Sequence, residues 1–280
     1  MTTLAQALKQ ATSQLHMHDQ AGLDAEVLLA HVLNKPRVYL HTWPEAELSQ
    51  DQELQFLDII RQRAAGRPVA YLTGLREFWS LNFAITPDSL IPRPETELLV
   101  ERTLALLPEN ETLRVADLGT GSGAIAIALA HERKHWRLYA IDRSFQCVKL
   151  AQRNTRRLDV DNLSFINADW SKALADQSFD AIVANPPYIA DEDPHLRQGD
   201  VCFEPASALT SGPQGLDDLR SLIKDAPRVL KPGGWIVLEH GMDQADSVHI
   251  LLNNIAFTNI ATMRDLAGLE RVSCAQKPAP

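Results

Sequence analysis

Asn185-Pro186-Pro187-Tyr188 follows directly on the apolar run Phe179-Asp180-Ala181-Ile182-Val183-Ala184. A proline pair cannot continue a strand, because proline lacks the ladder N–H and its φ is fixed. It ends the run and stiffens what comes next. The residue types suit one chemical problem. An amide nitrogen is a poor nucleophile because its lone pair is delocalised into the carbonyl. It must be oriented and polarised before it reacts. The side-chain oxygen of Asn185 and the main-chain carbonyl of Pro186 can accept its two N–H bonds. Pro187 keeps the loop rigid, and Tyr188 can pack on the planar group. Such acceptors hold the nitrogen more strongly as positive charge grows on it, which favours the transition state. The plain alternative is a proline turn that merely closes a strand. A glutamine side-chain amide and the N6 of adenine both satisfy the tetrapeptide.

A second stretch, "DLGTGSG" at 117–123, leads from another apolar run into "AIAIALAHE". Gly119, Gly121 and Gly123, with Thr120 and Ser122 between them, let the backbone bend tightly and approach a ligand. Asp142 ends the next apolar run, 19 residues after Gly123. A carboxylate there can accept both hydroxyls of a ribose. Asp169 and Trp170 end the third run and offer an acceptor and an aromatic face for a purine. Glycines alone can serve any strand-to-helix turn; acids at the two following strand ends point to a nucleoside. The third glycine is misplaced for the dinucleotide fingerprint, and no hydride-transfer site is evident. The pattern, with Asn185 beside it, is similar to that of Rossmann-like class I methyltransferases. That likeness implies S-adenosyl-L-methionine as cofactor and S-adenosyl-L-homocysteine as product.

These residues need strand ends to stand on. From residue 114 the runs "RVADL", "RLYAID", "LSFINA", "FDAIVAN" and "GWIVLEH" alternate with helical stretches. That alternation predicts an α/β fold with a parallel, doubly wound sheet, and two further strands around "DLAG" close the chain. Upstream, Leu4, Leu8, Ala11 and Leu15 share one helical face. Ser49 and Gln52 make a capping-box pattern, followed by Leu54, Leu57, Ile60 and Ala64 at helical spacing. Gly66 and Pro68 supply a stop. "REFWSLNFAI" reads as a strand or hairpin, and Pro94 suits the first turn of a helix. The expected organisation is a helical domain at 1–75, a strand or hairpin linker at 76–93, and the methyltransferase domain at 94–280.

Composition narrows the setting. The chain is 45% hydrophobic and 22% charged, with a net charge of -9. An acidic chain repels a phosphate backbone, so no direct nucleic-acid partner is expected. Cys147, Cys202 and Cys274 are few and far apart, which fits a reducing cytoplasm. No apolar run suffices for a bilayer, and the first residues lack a signal-peptide core. Several features are read as structural. His131 and His135 match the zinc-protease spacing H-E-x-x-H, but no third ligand is evident and no metal is expected. "HMHD" is a surface stretch, "RQRAAGR" a basic helix end, and Cys147, Trp79 and Phe83 packing residues. His240 is assigned a structural place near the sheet's end.

Four more stretches point one way: "PRPETE" at 92–97, "FEPASAL" at 203–209, "GPQGL" at 212–216 and "RDLAGLERV" at 264–272. With NPPY and a helical N-terminal region, they make the chain resemble the bacterial PrmC/HemK family over essentially its whole length. The resemblance implies methylation of the side-chain amide of the glutamine in the Gly-Gly-Gln motif of class 1 peptide chain release factors. It also implies that the helical domain helps engage the release factor. Asn185 to Tyr188 would hold the glutamine, and the glycine loop, Asp142, Trp170 and Asn185 would line the cofactor. Arg93 to Glu97 would lie near the site. Phe203 stands where the family often has tyrosine. A paralogue that methylates a ribosomal-protein glutamine shares NPPY, but "PRPETE" and "RDLAGLERV" fit the release-factor branch better. An adenine-N6 DNA methyltransferase is disfavoured by the acidic charge and by the lack of a basic target-recognition segment. A non-catalytic docking module is disfavoured by the intact glycine loop and NPPY.

Overall fold

A helix starts where a side chain can take over its unpaired backbone donors. In the computed structural model, which describes residues 2–279, Thr3 opens α1 (Leu4–Gln14) with a capping box. Its hydroxyl accepts from the Gln6 N–H, and the Gln6 side chain accepts from the Thr3 N–H. α2 (Ala21–Leu33) and the short α3 (Val38–Thr42) follow. Ser49 and Gln52 form the expected box at α4 (Gln50–Ala64), and Gly74 ends α5 (Val69–Thr73) in the left-handed conformation. Each such cap is worth about 1 kcal/mol. The helices close over Leu4, Ala11, Leu15, Leu28, Leu29, Phe56 and Ile60.

The face expected for α4 is corrected. Leu54 is 59% exposed and Ala64 is exposed, whereas Phe56, Ile60 and Arg63 face inward. Both stripes pass through Ile60, and the larger aromatic surface of Phe56 takes the core. Arg63 stands in the basic last turn of α4, the helix end expected from "RQRAAGR", and it is buried. Its Nε donates to Asp24 Oδ2 at 2.7 Å, and its Nη1 to Asp200 Oδ1 at 2.8 Å and the Arg67 carbonyl at 3.2 Å. Residues 197–203 therefore group with the helices up to Leu75 as one compact unit. In that segment the Phe203 ring lies against Gly66, where a Cβ would come within 3.1 Å of it.

The larger unit begins with a hairpin, β1 (Leu75–Phe78) and β2 (Leu81–Ala84). Its turn residues, Trp79 and Ser80, hold φ of 54° and 57°. Such turns match strand twist but normally use Gly or Asn. Here the Trp79 N–H donates to Glu97 at 2.7 Å and its indole N–H to Glu132 at 2.9 Å. Asn154 grips both main-chain groups of Ala84, at 2.8 and 3.0 Å. Residues 76–93, expected as a linker, thus pack as part of this unit. Pro94 opens a short 3-10 turn that runs into α6 (Glu97–Leu106).

The alternation then unfolds as expected: β3 (Arg114–Leu118), α7 (Ala124–Glu132), β4 (Arg137–Asp142), α8 (Phe145–Arg157), β5 (Leu163–Asn167), β6 (Phe179–Ala184), α9 (Asp217–Val229), β7 (Leu230–Glu239), α10 (Ala245–Asn254), β8 (Thr258–Arg264) and β9 (Glu270–Gln276). The sheet order is β5-β4-β3-β6-β7-β9-β8. β3, β4, β5, β6 and β7 are parallel; β9 runs antiparallel between β7 and β8. The order reverses between β3 and β6, and ligands bind beyond the carboxyl ends of strands at such a switch point.

Replacing Arg63 by Ala would leave the Asp24 carboxylate buried without its partner. We expect the helical unit to lose about 3 kcal/mol, with part recovered by also replacing Asp24 by Ala. Urea unfolding followed by circular dichroism measures this; an unchanged midpoint for the single variant would contradict it.

Candidate active site

The turn after β3 is set by one carbonyl. Ile141, at the end of β4, accepts from both the Gly119 and Thr120 N–H groups, each at 2.9 Å. The three glycines then serve different ends. A Cβ on Gly119 (φ 78°) would lie 2.9 Å from the Trp170 ring, and one on Gly123 (φ 85°) would lie 2.9 Å from Ile127 and 3.0 Å from Ala151. Those two are fixed by packing. A Cβ on Gly121 would meet nothing within 4 Å, and Gly121 lines the cleft. Of the three, Gly121 alone fits close approach to a ligand as its reason.

The acids are tied into the same loop. Asp142 accepts from the Gly121 N–H at 2.9 Å through one oxygen and from the Ser144 N–H at 2.8 Å through the other. Burial raises its pKa, and each oxygen keeps a lone pair for a further donor. Asp117, passed over in the sequence, is fully buried. One oxygen accepts from the Thr120 hydroxyl at 2.6 Å and the Ala126 N–H at 3.2 Å; the other has no partner. Burial pushes its carboxyl up to about 7. The available signal was an acid placed one strand residue ahead of the glycine turn. Asp169 is half-exposed and pairs with Lys172. The Trp170 indole N–H donates to Asp218 at 3.1 Å.

The NPPY loop is held at both ends. Asn185 Nδ2 donates to the Thr96 hydroxyl at 3.1 Å. Its Oδ1 and the Pro186 carbonyl accept no hydrogen bond among the described residues. The Tyr188 hydroxyl donates to Glu239 Oε1 at 3.2 Å, and its carbonyl accepts from Gln244 at 2.9 Å. Tyr188 therefore anchors the loop and does not line the cleft.

These groups surround an open cleft. Gly119, Thr120, Gly121, Ser122, Asp142, Asp169, Trp170, Asn185 and Pro187 line it, whereas Gly123, Pro186 and Tyr188 do not. Asp88, Ser89 and Leu90, which carry no motif, complete the wall together with Thr96 of "PRPETE" and Ser207 and Ala208 of "FEPASAL". Arg143 reaches over to the Ser207 carbonyl at 2.9 Å. Arg93 pairs with buried Glu204, which also accepts from the Ile91 N–H at 3.0 Å, so "PRPETE" and "FEPASAL" meet. Cys147 donates its thiol to the Asp88 carbonyl, and burial pushes that thiol up to about 11. His135 falls beyond the end of α7 at Glu132, so the H-E-x-x-H pair does not share a helical turn. His240 is buried between the Gly241 carbonyl and the Ser273 hydroxyl. Among the described residues, no group of three or more His, Cys, Asp or Glu side chains is placed to hold a metal ion.

A doubly wound sheet, a glycine turn after its central strand and acids at the ends of the adjoining strands define a Rossmann-like methyltransferase, whose methyl donor is S-adenosylmethionine. Residues 94–212 match the methyltransferase small domain, and residues 6–74 match the PrmC N-terminal domain. The hMettl16 catalytic domain shares the fold (TM-score 0.59, 18% identity, 80% of this chain and 84% of that one). So does a methyltransferase from Pyrococcus furiosus (TM-score 0.54, 16% identity, 82% and 100%). The release factor glutamine methyltransferase of Pseudomonas aeruginosa is 49% identical over 276 residues, covering 99% of both chains. That of Salmonella typhimurium is 46% identical over 269 residues, covering 96% of this chain and 97% of its own. The chain belongs to the release factor glutamine methyltransferase family.

The glycine contacts separate two effects. Gly123→Ala combines a left-handed φ with a clash, and should cost about 3 kcal/mol of stability. Gly121→Ala should cost about 1 kcal/mol yet weaken S-adenosylhomocysteine binding far more. Thermal unfolding and titration calorimetry on both variants would reveal a reversal of that order.

Proposed function

We propose that this enzyme transfers the methyl group of S-adenosylmethionine to the side-chain amide nitrogen of the glutamine in the Gly-Gly-Gln motif of class 1 peptide chain release factors. The observation that carries the reading is the pair of free acceptors, Asn185 Oδ1 and the Pro186 carbonyl, at the end of β6 beside the glycine-loop cleft.

The residues present fit the cofactor. Gly121 leaves open a space that any side chain would fill, and Asp117 keeps a buried oxygen without a partner. Asp142 would take the ribose hydroxyls, and Asp169 and Trp170 the adenine. Gly119, Thr120, Gly121, Ser122 and Gly123 would form the turn around the methionine end, with Asn185 at its edge. When bound, S-adenosylmethionine supplies a methyl group on a cationic sulfur that leaves as a neutral thioether.

The chain's own residues then act on the glutamine. Asn185 Oδ1 and the Pro186 carbonyl would accept the two amide N–H bonds and fix the direction of the nitrogen lone pair. As that nitrogen gains positive charge its N–H bonds polarise, and both acceptors strengthen. Pro186 and Pro187 keep the carbonyl from turning away, since proline φ is fixed. The extra proton leaves after the methyl has been transferred, so no base with a neutral pKa is needed. Residues 1–75 would engage the body of the release factor, and the enzyme would work in the cytoplasm where its substrate is made. A net charge of -9 disfavours nucleic acid as a direct partner, and no helix among the described residues is long and apolar enough to cross a membrane.

Methyl transfer from labelled S-adenosylmethionine tests the reading on four substrates: a release factor, its Gly-Gly-Ala variant, a ribosomal protein and duplex DNA. Label is expected on the first alone. Asn185→Ala should lower kcat roughly 100-fold or more while changing cofactor affinity far less. Label on the ribosomal protein or on DNA would replace the proposed substrate.

A further inference from the structure

Gln244 stands at the N-cap of α10, yet its side chain makes no capping hydrogen bond there. Glutamine is not among the residues that favour that position. The residue is buried, lines no part of the cleft, and turns its amide to the NPPY loop. Nε2 donates to the Tyr188 carbonyl at 2.9 Å and to the Gly215 carbonyl at 3.3 Å, and Oε1 accepts from the Gly241 N–H at 2.9 Å. Carbonyls can only accept and an N–H can only donate, so the amide has one orientation. Two glycines make room for it. A Cβ on Gly215 would stand 3.0 Å from Nε2, and one on Gly241 would stand 3.1 Å from Oε1. Gly241 is itself tethered. Its carbonyl accepts from the Gln244 N–H at 3.0 Å and from His240 Nδ1 at 2.8 Å, while His240 Nε2 meets the Ser273 hydroxyl of β9 at 2.9 Å. Gln244 therefore joins the NPPY loop to the sheet.

Proline fixes φ but leaves ψ free. The direction of the Pro186 carbonyl thus depends on how the chain is held beyond Pro187. The peptide that joins Tyr188 to Ile189 is held on both sides. Its carbonyl is taken by Gln244, and its N–H donates to the Leu209 carbonyl at 2.9 Å. A planar peptide gripped on both edges cannot rotate between its two α-carbons. Releasing the carbonyl leaves one grip and lets the plane swing. We propose that Gln244 is a positioning residue for methyl transfer: by holding the carbonyl of the Tyr188–Ile189 peptide it keeps the Pro186 carbonyl aimed at the substrate nitrogen. The inference rests on that carbonyl and Asn185 Oδ1 being the acceptors of the substrate amide.

Gln244→Glu separates positioning from packing, because the side chain keeps its shape. One carboxylate oxygen still accepts from the Gly241 N–H, but the other faces two carbonyls and repels them. α10 is not weakened, since an anion at a helix N-terminus is favoured. Burial raises the pKa of the new carboxyl. Once protonated it can again donate to the Tyr188 carbonyl, so the defect is present at high pH and reverses as pH falls through that pKa. The titratable groups around the position are Asp243, which flanks the same Gly241 Cα, His240, bound as above, and Glu239, bound to the Tyr188 hydroxyl. Arg271 of β9 is paired with Asp265, and Asp217 of α9 lies against Gly212. These groups are present in the unsubstituted enzyme as well, so the ratio of the two rates isolates the new carboxyl.

The test is steady-state methylation of a release factor at saturating cofactor, from about pH 5.5 to about 9, with Gln244→Glu and Gln244→Met. S-adenosylhomocysteine affinity and thermal unfolding serve as folding controls. At high pH each variant is expected to lower kcat roughly tenfold while KM for the release factor and cofactor affinity stay within about threefold. As pH falls, the rate of Gln244→Glu relative to the unsubstituted enzyme should recover, whereas that of Gln244→Met should stay level. A kcat within about twofold of the unsubstituted enzyme at high pH in either variant overturns the proposal. So does a Gln244→Glu ratio that does not change with pH, or a cofactor affinity that falls in step with kcat in both variants. Should Gln244→Glu unfold at high pH, Gln244→Met decides, by whether kcat falls while KM and cofactor affinity hold. Asn185→Ala run alongside keeps the two readings apart. If it is active, the amide-acceptor reading itself fails; if it is inactive while the Gln244 variants are normal, only the role of Gln244 fails.

Discussion

Parallel pairing of β3 with β6 sets Ala116 opposite Ile182 and Asp117 opposite Val183. Two segments far apart in the chain thereby end at the same level of the sheet. One continues into the glycine turn and the other into Asn185. Side chains alternate faces along a strand, so a slip of one residue would reverse which face each buries. The long apolar runs of β3 and β6 resist such a slip because helices cover both faces of the sheet. The cleft is the space left where these two strands stop and their connections diverge. The fit of glycine turn to NPPY loop thus follows from a register fixed by buried side chains with no chemical role.

The acids at that edge share a physical condition. Asp117, Asp142 and Glu239 all end or nearly end strands, and burial raises the pKa of each. Water has been replaced around them by a few fixed donors: backbone N–H groups for Asp142, a hydroxyl and an N–H for Asp117, the Tyr188 hydroxyl for Glu239. A carboxyl whose pKa in the fold lies above its unfolded value contributes stability at low pH that is lost as pH rises through the folded value. For Asp117 and Glu239 that window runs from about 4 to about 7. The site therefore costs the fold stability at neutral pH, and such perturbed acids cluster where a protein does its chemistry.

Local patterns were legible in the sequence. The capping box at Ser49, the strand or hairpin at 76–85, the Pro94 turn and the glycine loop all depend on residues within a few positions of each other. What escaped reading depends on distant partners. The inward face of α4 was settled by Phe56 and by the Arg63 pairing with Asp24, 39 residues away. Gly119 and Gly123 are glycines because Trp170 and Ala151 press on them. Glu204 reaches Ile91 across 113 positions, and Tyr188 reaches Glu239 across 51. No periodicity in one sequence encodes such pairs, and Glu239 was passed over for that reason; Asp117, whose partners Thr120 and Ala126 are near in the chain, is set apart by its burial.

The stretches that carried the family resemblance take on a shared purpose once these contacts are drawn. "PRPETE" supplies Thr96, which holds the Asn185 amide, and Arg93, which Glu204 of "FEPASAL" holds in turn. "GPQGL" supplies Gly215, whose backbone passes so close to the Tyr188 carbonyl that a Cβ would stand 2.2 Å from it. "RDLAGLERV" supplies Arg271, paired with Asp265 at 3.0 Å and contributing positive charge near Glu239. Four segments scattered over the chain converge on one rigid tetrapeptide or on the carboxylate behind it. Two prolines stiffen a loop against rotation about φ, but they do not fix where the loop stands or how an asparagine amide is turned. Those two degrees of freedom are removed from outside, by neighbours that never touch the reacting nitrogen.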